Sequence, residues 1–165
     1  MKVENRKSNN KYWFPLLLVA CLASVAVMLY VLCRPQTTFV PPPFESAAVS
    51  GTPENVPETL GYASLDATAY QLALCGAPTV QDGAATLYFT NPAENTVWLK
   101  VRVCTADGTL LGESGLLKPG EYVENVPLDT LPTEDTPVVL KVMAYEPDTY
   151  RSAGAVSLST VMRVE

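Results

Sequence analysis

The chain has 165 residues, which leaves room for one modest domain once an apolar segment and a linker are set aside. Its net charge of −6 averages two regions: Lys2, Arg6, Lys7 and Lys11 precede the apolar run, whereas sixteen acidic and six basic residues beyond Pro35 leave −10. That acidity disfavours nucleic acid and anionic headgroups as partners of the later part, and the absence of histidine removes His-containing triads and the HExxH zinc arrangement.

Residues 1–11 read as a basic cytoplasmic tail. Residues 16–33, LLLVACLASVAVMLYVLC, carry no charge, and Ser24 is their one ordinary polar side chain. With Tyr12, Trp13 and Phe14 included, the run 12–33 predicts a transmembrane helix of about 33 Å, matched to a hydrocarbon core of about 30 Å. Pro15 suits its first turn, and the preceding cations put the N-terminus in the cytoplasm and the remainder outside the cell. This is a signal-anchor reading of a single-pass cell-membrane protein. Leu18-Val19-Ala20-Cys21 also fits a lipobox, so lipidation at Cys21 is the alternative.

Residues 34–60 contain six prolines, including Pro41-Pro42-Pro43, and no convincing period. They predict an extended, mobile extracellular stalk.

From residue 61 to 165, short β-prone runs alternate with turn signals. Residues 84–90 put Ala85, Leu87 and Phe89 on one face. Residues 96–104 put Val97, Leu99, Val101 and Val103 on one face and Trp98, Lys100, Arg102 and Cys104 on the other. Asp107-Gly108 and Pro119-Gly120 are turn signals. Val138, Leu140, Val142 and Ala144 share one side of 137–146, and Val156, Leu158, Met162 and Val164 share one side of 155–164. With strands near 62–75, the pattern predicts an all-β domain of about seven strands, an immunoglobulin-like two-sheet β-sandwich. A small open barrel has the same periodicity.

Cys75 and Cys104 are both out of phase with the core positions of their runs, and one disulfide between them is compatible with that parity. The pairs Glu134/Asp135, Glu146/Asp148 and Glu121/Glu124 lack a DxDxDG-type loop and read as solvated charge. Trp98, flanked on its face by Lys100 and Arg102, is a candidate surface contact; it would equally pack under the stalk or cover the sheet. Tyr88 would lie beside it if their strands pair antiparallel. Asn91 and Asn95 bracket a turn, where side-chain amides hold the loop or meet a ligand.

Leu87-Tyr88-Phe89-Thr90-Asn91-Pro92-Ala93-Glu94-Asn95, Asp107-Gly108-Thr109-Leu110 and Ser114-Gly115-Leu116-Leu117-Lys118-Pro119-Gly120 resemble a pattern in small membrane-anchored surface proteins of Gram-positive Firmicutes. The resemblance covers about 85–165. It implies an immunoglobulin-like sandwich outside the cell, with no assigned reaction or ligand. The resulting expectation is a noncatalytic, membrane-anchored module without cofactor or metal, contacting an envelope or surface protein. A carbohydrate- or peptidoglycan-binding module is the alternative.

Overall fold

The structure, a computed structural model, describes residues 13–33 and 39–164, which form two compact units divided between Val40 and Pro41. The basic tail, Tyr12 and residues 34–38 lie outside the described residues.

In the first unit, Trp13–Leu32 forms the helix α1. The Ser24 hydroxyl donates back to the Cys21 carbonyl at 2.8 Å, the usual local outlet for a hydroxyl inside a helix. Among the described residues, no helix is long and apolar enough to cross a membrane. That finding overturns the transmembrane segment over 12–33, together with the signal anchor and the extracellular placement derived from it.

The second unit is built from ten strands: β1 Val49–Ser50, β2 Tyr62–Asp66, β3 Gln71–Cys75, β4 Thr79–Gln81, β5 Ala84–Asn91, β6 Trp98–Thr105, β7 Leu110–Glu113, β8 Glu121–Pro127, β9 Thr136–Tyr145 and β10 Ser152–Val164. They hydrogen-bond in the order β1-β8-β5-β4-β10-β9-β6-β7, while β3 joins β5 through Ala73 and Thr90 and carries β2 on its outer edge. The expected two-sheet sandwich of about seven strands is therefore corrected to one continuous sheet curved into an open half-barrel.

The reason lies in β10. It is thirteen residues long, so it pairs antiparallel with β9 and still extends far enough for Arg163 and Val164 to pair parallel with Thr79 and Val80 of β4. Alternation within a strand carries no record of that second partner.

The far ends of the path, β1 and β7, do not pair. Instead β7 is pinned to the exit of β8: Gly112 bridges Leu128, and the Asp129 and Thr130 amides donate to the Leu111 carbonyl at 2.7 and 3.2 Å. A Cβ on Gly112 would lie 2.2 Å from the Pro127 carbonyl oxygen, so only glycine permits this approach.

The curve encloses one core. Ala85, Leu87, Phe89, Leu99, Val101, Val103, Leu140, Ala144 and Met162 have essentially no solvent exposure. Each is on an alternating strand position, so the side chains of both arms meet in the middle. Val164 departs from its expected inward phase and is exposed where β10 leaves β9 for β4.

The stalk expectation fails from Pro41 onward. Pro43 accepts a hydrogen bond from the Leu116 amide, and the Glu45 amide donates to the Leu116 carbonyl at 2.9 Å. The Glu45 carboxylate takes the Gly115 amide at 2.6 Å, and β1 then pairs with β8. Polyproline-like backbone is already extended, which lets this segment lie along the sheet as a strap. A Pro-rich composition does not distinguish a strap from a spacer.

Candidate functional site

The six candidate contact residues do not form one surface. Trp98 is half-buried, with the Phe44 ring edge-on at 4.9 Å and the Tyr150 ring at 5.2 Å. Lys118 lies over Phe44 at 4.8 Å. Trp98 therefore helps fasten the strap, by T-shaped packing that is favourable for aromatic quadrupoles. Tyr88 is not its neighbour, because β5 pairs with β3, β4 and β8 whereas β6 pairs with β7 and β9.

Lys100 is 4% exposed, and its ammonium lies 2.7 Å from Glu113, which also accepts from Arg102 at 2.8 Å. Burial raises the Glu113 pKa, but the two cations outweigh it and hold the carboxyl below its ordinary value. Outward parity does not reveal that a side chain is covered, and Lys100 is a case in point.

Asn91 is fully buried. Its amide donates to the carbonyls of Val97 and Leu117, both at 2.9 Å. Asn95 donates to the Asn91 side-chain oxygen at 2.7 Å and closes a two-way pair with the Gln71 backbone. The Gly120 amide donates to the Asn91 carbonyl at 2.8 Å. The two asparagines thus tie the end of β5, the start of β6, the 117–120 turn and the start of β3, and they occupy themselves in doing so.

Cys75 and Cys104 are free thiols on strands that do not adjoin, which removes the disulfide that their parity permits. Cys75 is buried, and burial pushes its thiol up to about 11. Tyr62 and Tyr70 are also raised, in both cases chiefly by burial. These groups favour the folded state while protonated, so their contribution is complete below the unfolded pKa of about 9 for the thiol and is lost as pH rises toward 11. The unfolding midpoint is expected to fall between pH 9 and 11, and less steeply in Cys75→Ala; urea titrations at each pH measure it. In native protein at pH 8, alkylation followed by peptide mass spectrometry is expected to label Cys104 well ahead of Cys75.

The acidic pairs are engaged in local structure. Glu121 accepts from the Lys118 amide, Asp135 from the Val164 amide, and Glu146 from the Thr149 hydroxyl. Among the described residues, no cluster of three or more Cys, Asp or Glu is placed to hold a metal ion.

A polar cleft lies on the outer side of β4, β5 and β8. Thr79, Thr86 and Asn125 are direct cross-strand partners in one row. Beyond Thr86 the ladder slips: residues 87 and 88 oppose the single residue 124 before Phe89 meets Val123. The slip puts Tyr88 at φ 47°, an uncommon conformation for a bulky side chain, and its hydroxyl donates to the Glu124 carboxylate at 3.1 Å. Desolvation, followed by the bond to Glu124 and its charge, raises the Tyr88 pKa and keeps the phenol protonated as a donor at neutral pH.

Pro57, Thr59 and Leu60 roof the cleft from a short 3-10 turn, Glu58–Leu60, and the hollow encloses about 230 Å³. The roof is fixed: Gly61 in the left-handed conformation closes the turn, and the Ala77 and Gly76 amides donate to Leu60 and Gly61 carbonyls. Thr86 donates to the Asn125 side-chain oxygen at 2.9 Å, which directs the Asn125 amide donors elsewhere.

Gln81 completes a lining of hydroxyls and amides with one carboxylate. It can donate to and accept from several neutral hydroxyl groups at once. It offers no carboxylate pair for acid–base chemistry. Of its members, sequence reasoning had singled out Tyr88 and, as half of an acidic pair, Glu124. Asp82-Gly83, the I′-type hairpin that sets β4 against β5, was a legible signal for the rest: both residues have positive φ, at 49° and 83°.

Comparison with family models, with curated proteins and with solved structures returns no match to this chain.

Proposed function

We propose that the second unit is a noncatalytic binding domain whose ligand is a neutral, polyhydroxylated molecule of the saccharide class, held in the Tyr88–Glu124 cleft. The observation that carries this reading is the bulge at 87–88. It holds a tyrosine in an unfavourable backbone conformation, and the result is a phenol and carboxylate pair facing a row of hydroxyl and amide groups. A ladder without the slip would spare that conformational cost, so the protein maintains the geometry against a local preference.

The chemistry fits. Sugar hydroxyls are simultaneous donors and acceptors, and the cleft supplies both kinds of partner in a volume of about 230 Å³. A carboxylate acceptor strengthens one of those bonds without requiring a charged ligand.

An array of neutral glycans probed with the full chain tests the proposal. Wild-type protein is expected to select a defined group of glycans, with affinity for them falling about tenfold in Glu124→Gln, the loss of about 1.4 kcal/mol typical of one charge-assisted hydrogen bond. Tyr88→Phe is expected to reduce it similarly. Selection that both variants retain unchanged would overturn the assignment of ligand to this cleft.

A further inference from the structure

The opposite arm of the sheet carries a charge arrangement that the folded chain does not balance. Arg102 of β6 and Lys141 of β9 are direct cross-strand partners, and Lys141 is partnered on its other side by Ser157 of β10. Like charges directly opposite each other on adjacent strands destabilise the pair. Glu113, reached from the β7 side, accepts from Arg102 through Nε and from Lys100, so one carboxylate serves two cations. Among the described residues, Lys141 has no ion pair. Three cations and one carboxylate leave a local charge of +2, within a region beyond Pro35 whose net charge is −10.

Of these groups, Arg102 and Lys141 line a hollow of about 290 Å³, together with Cys104, Thr105 and Val139. Asp107, between the lining residues Ala106 and Gly108, accepts from the Thr105 hydroxyl and the Thr109 amide, and it lines the neighbouring depression. Arg102 is 44% exposed at its side chain and bonds Glu113 through Nε. A guanidinium with donors beyond Nε, set across strands about 4.8 Å apart from an ammonium, suits an anion with several oxygens.

We propose that this hollow is a binding site for a doubly charged oxyanion, a phosphate or sulfate group held between Arg102 and Lys141. Bound there, the anion neutralises the local +2 and removes the repulsion between the cross-strand pair. The site is separate from the Tyr88 cleft, which lies on β4, β5 and β8, and neither proposal depends on the other.

Cys104 is a reporter inside the hollow. In the full chain at constant ionic strength, its alkylation by neutral iodoacetamide is followed by peptide mass spectrometry as inorganic phosphate, sulfate or acetate is added. Cys33, which is exposed just after α1, serves as the internal reference. Saturable protection of Cys104 by phosphate and by sulfate, at least tenfold tighter than by acetate, is the expected result. Lys141→Met is expected to weaken that protection tenfold or more, whereas Lys118→Met leaves it unchanged.

Protection that rises linearly with salt, or is the same for acetate, would overturn the proposal. So would protection retained in Lys141→Met. An unfolding midpoint of Lys141→Met no lower than that of wild type without added anion is the accompanying check that the variant is folded; if the midpoint drops, Lys141→Gln takes its place in the same measurement.

Discussion

Replacing Asn91 with alanine is expected to lower the unfolding free energy by about 3 kcal/mol, because it removes the amide donor from the carbonyls of Val97 and Leu117, of which Leu117 keeps the Leu99 amide, and takes the acceptor from Asn95. Hydrogen-bonded polar groups inside a protein contribute little net stability, but leaving their partners unsatisfied is costly. Asn91→Asp separates this cause from a loss of volume. It keeps the shape and lacks both amide donors, so it is expected to destabilise as much as alanine at neutral pH. Urea unfolding followed by fluorescence measures both. A loss below about 1 kcal/mol in either would mean that water replaces the amide readily. The consequence reaches beyond stability, since Asn91 connects the β5 end to the 117–120 turn on which the strap is laid.

Gly112→Ala is expected to be at least as damaging. The added Cβ would sit 2.2 Å from the Pro127 oxygen and 2.9 Å from the Leu128 Cα, and both obstacles are backbone. Relief requires β7 to move off the exit of β8, which breaks the Asp129 and Thr130 bonds to Leu111. A cost of about 3 kcal/mol or more follows from overpacking combined with lost hydrogen bonds. Amide hydrogen exchange localises the effect: Asp129 and Thr130 should exchange faster, while the β9–β10 ladder should be little changed under native conditions. A Gly112→Ala protein with unaltered exchange at those two amides would contradict the pinned seam.

Much of the strand pattern was legible because those strands have one wet and one dry face. Leu99, Val101 and Val103 alternate with Trp98, Arg102 and Cys104, and the first set is buried as alternation requires. The strands that escaped notice are β1 and β4, of two and three residues, too short to display a period. Cys75 misled because β3 is covered on both faces, with Leu72, Ala73, Leu74 and Cys75 all buried, so its parity did not mean exposure.

The strap was read as a spacer because prolines specify an extended backbone without specifying what it lies against. The cleft was least accessible to sequence reasoning. It requires a register slip at Leu87–Tyr88, a partner residue 36 positions further along the chain, and a roof drawn from the supposed stalk. Alternation turns Tyr88 outward but puts it beside Trp98 only if β5 and β6 pair, whereas the topology gives it to Glu124.

The central claim is that the Tyr88–Glu124 cleft holds a neutral saccharide, and amide chemical-shift mapping of the full chain during titration with a selected neutral glycan tests it most directly. Saturable shifts centred on Thr59, Gln81, Thr86, Tyr88, Glu124 and Asn125 are the predicted result. Shifts centred instead on the Phe44–Trp98–Tyr150 cluster, or no saturable shift with any glycan tried, would contradict it.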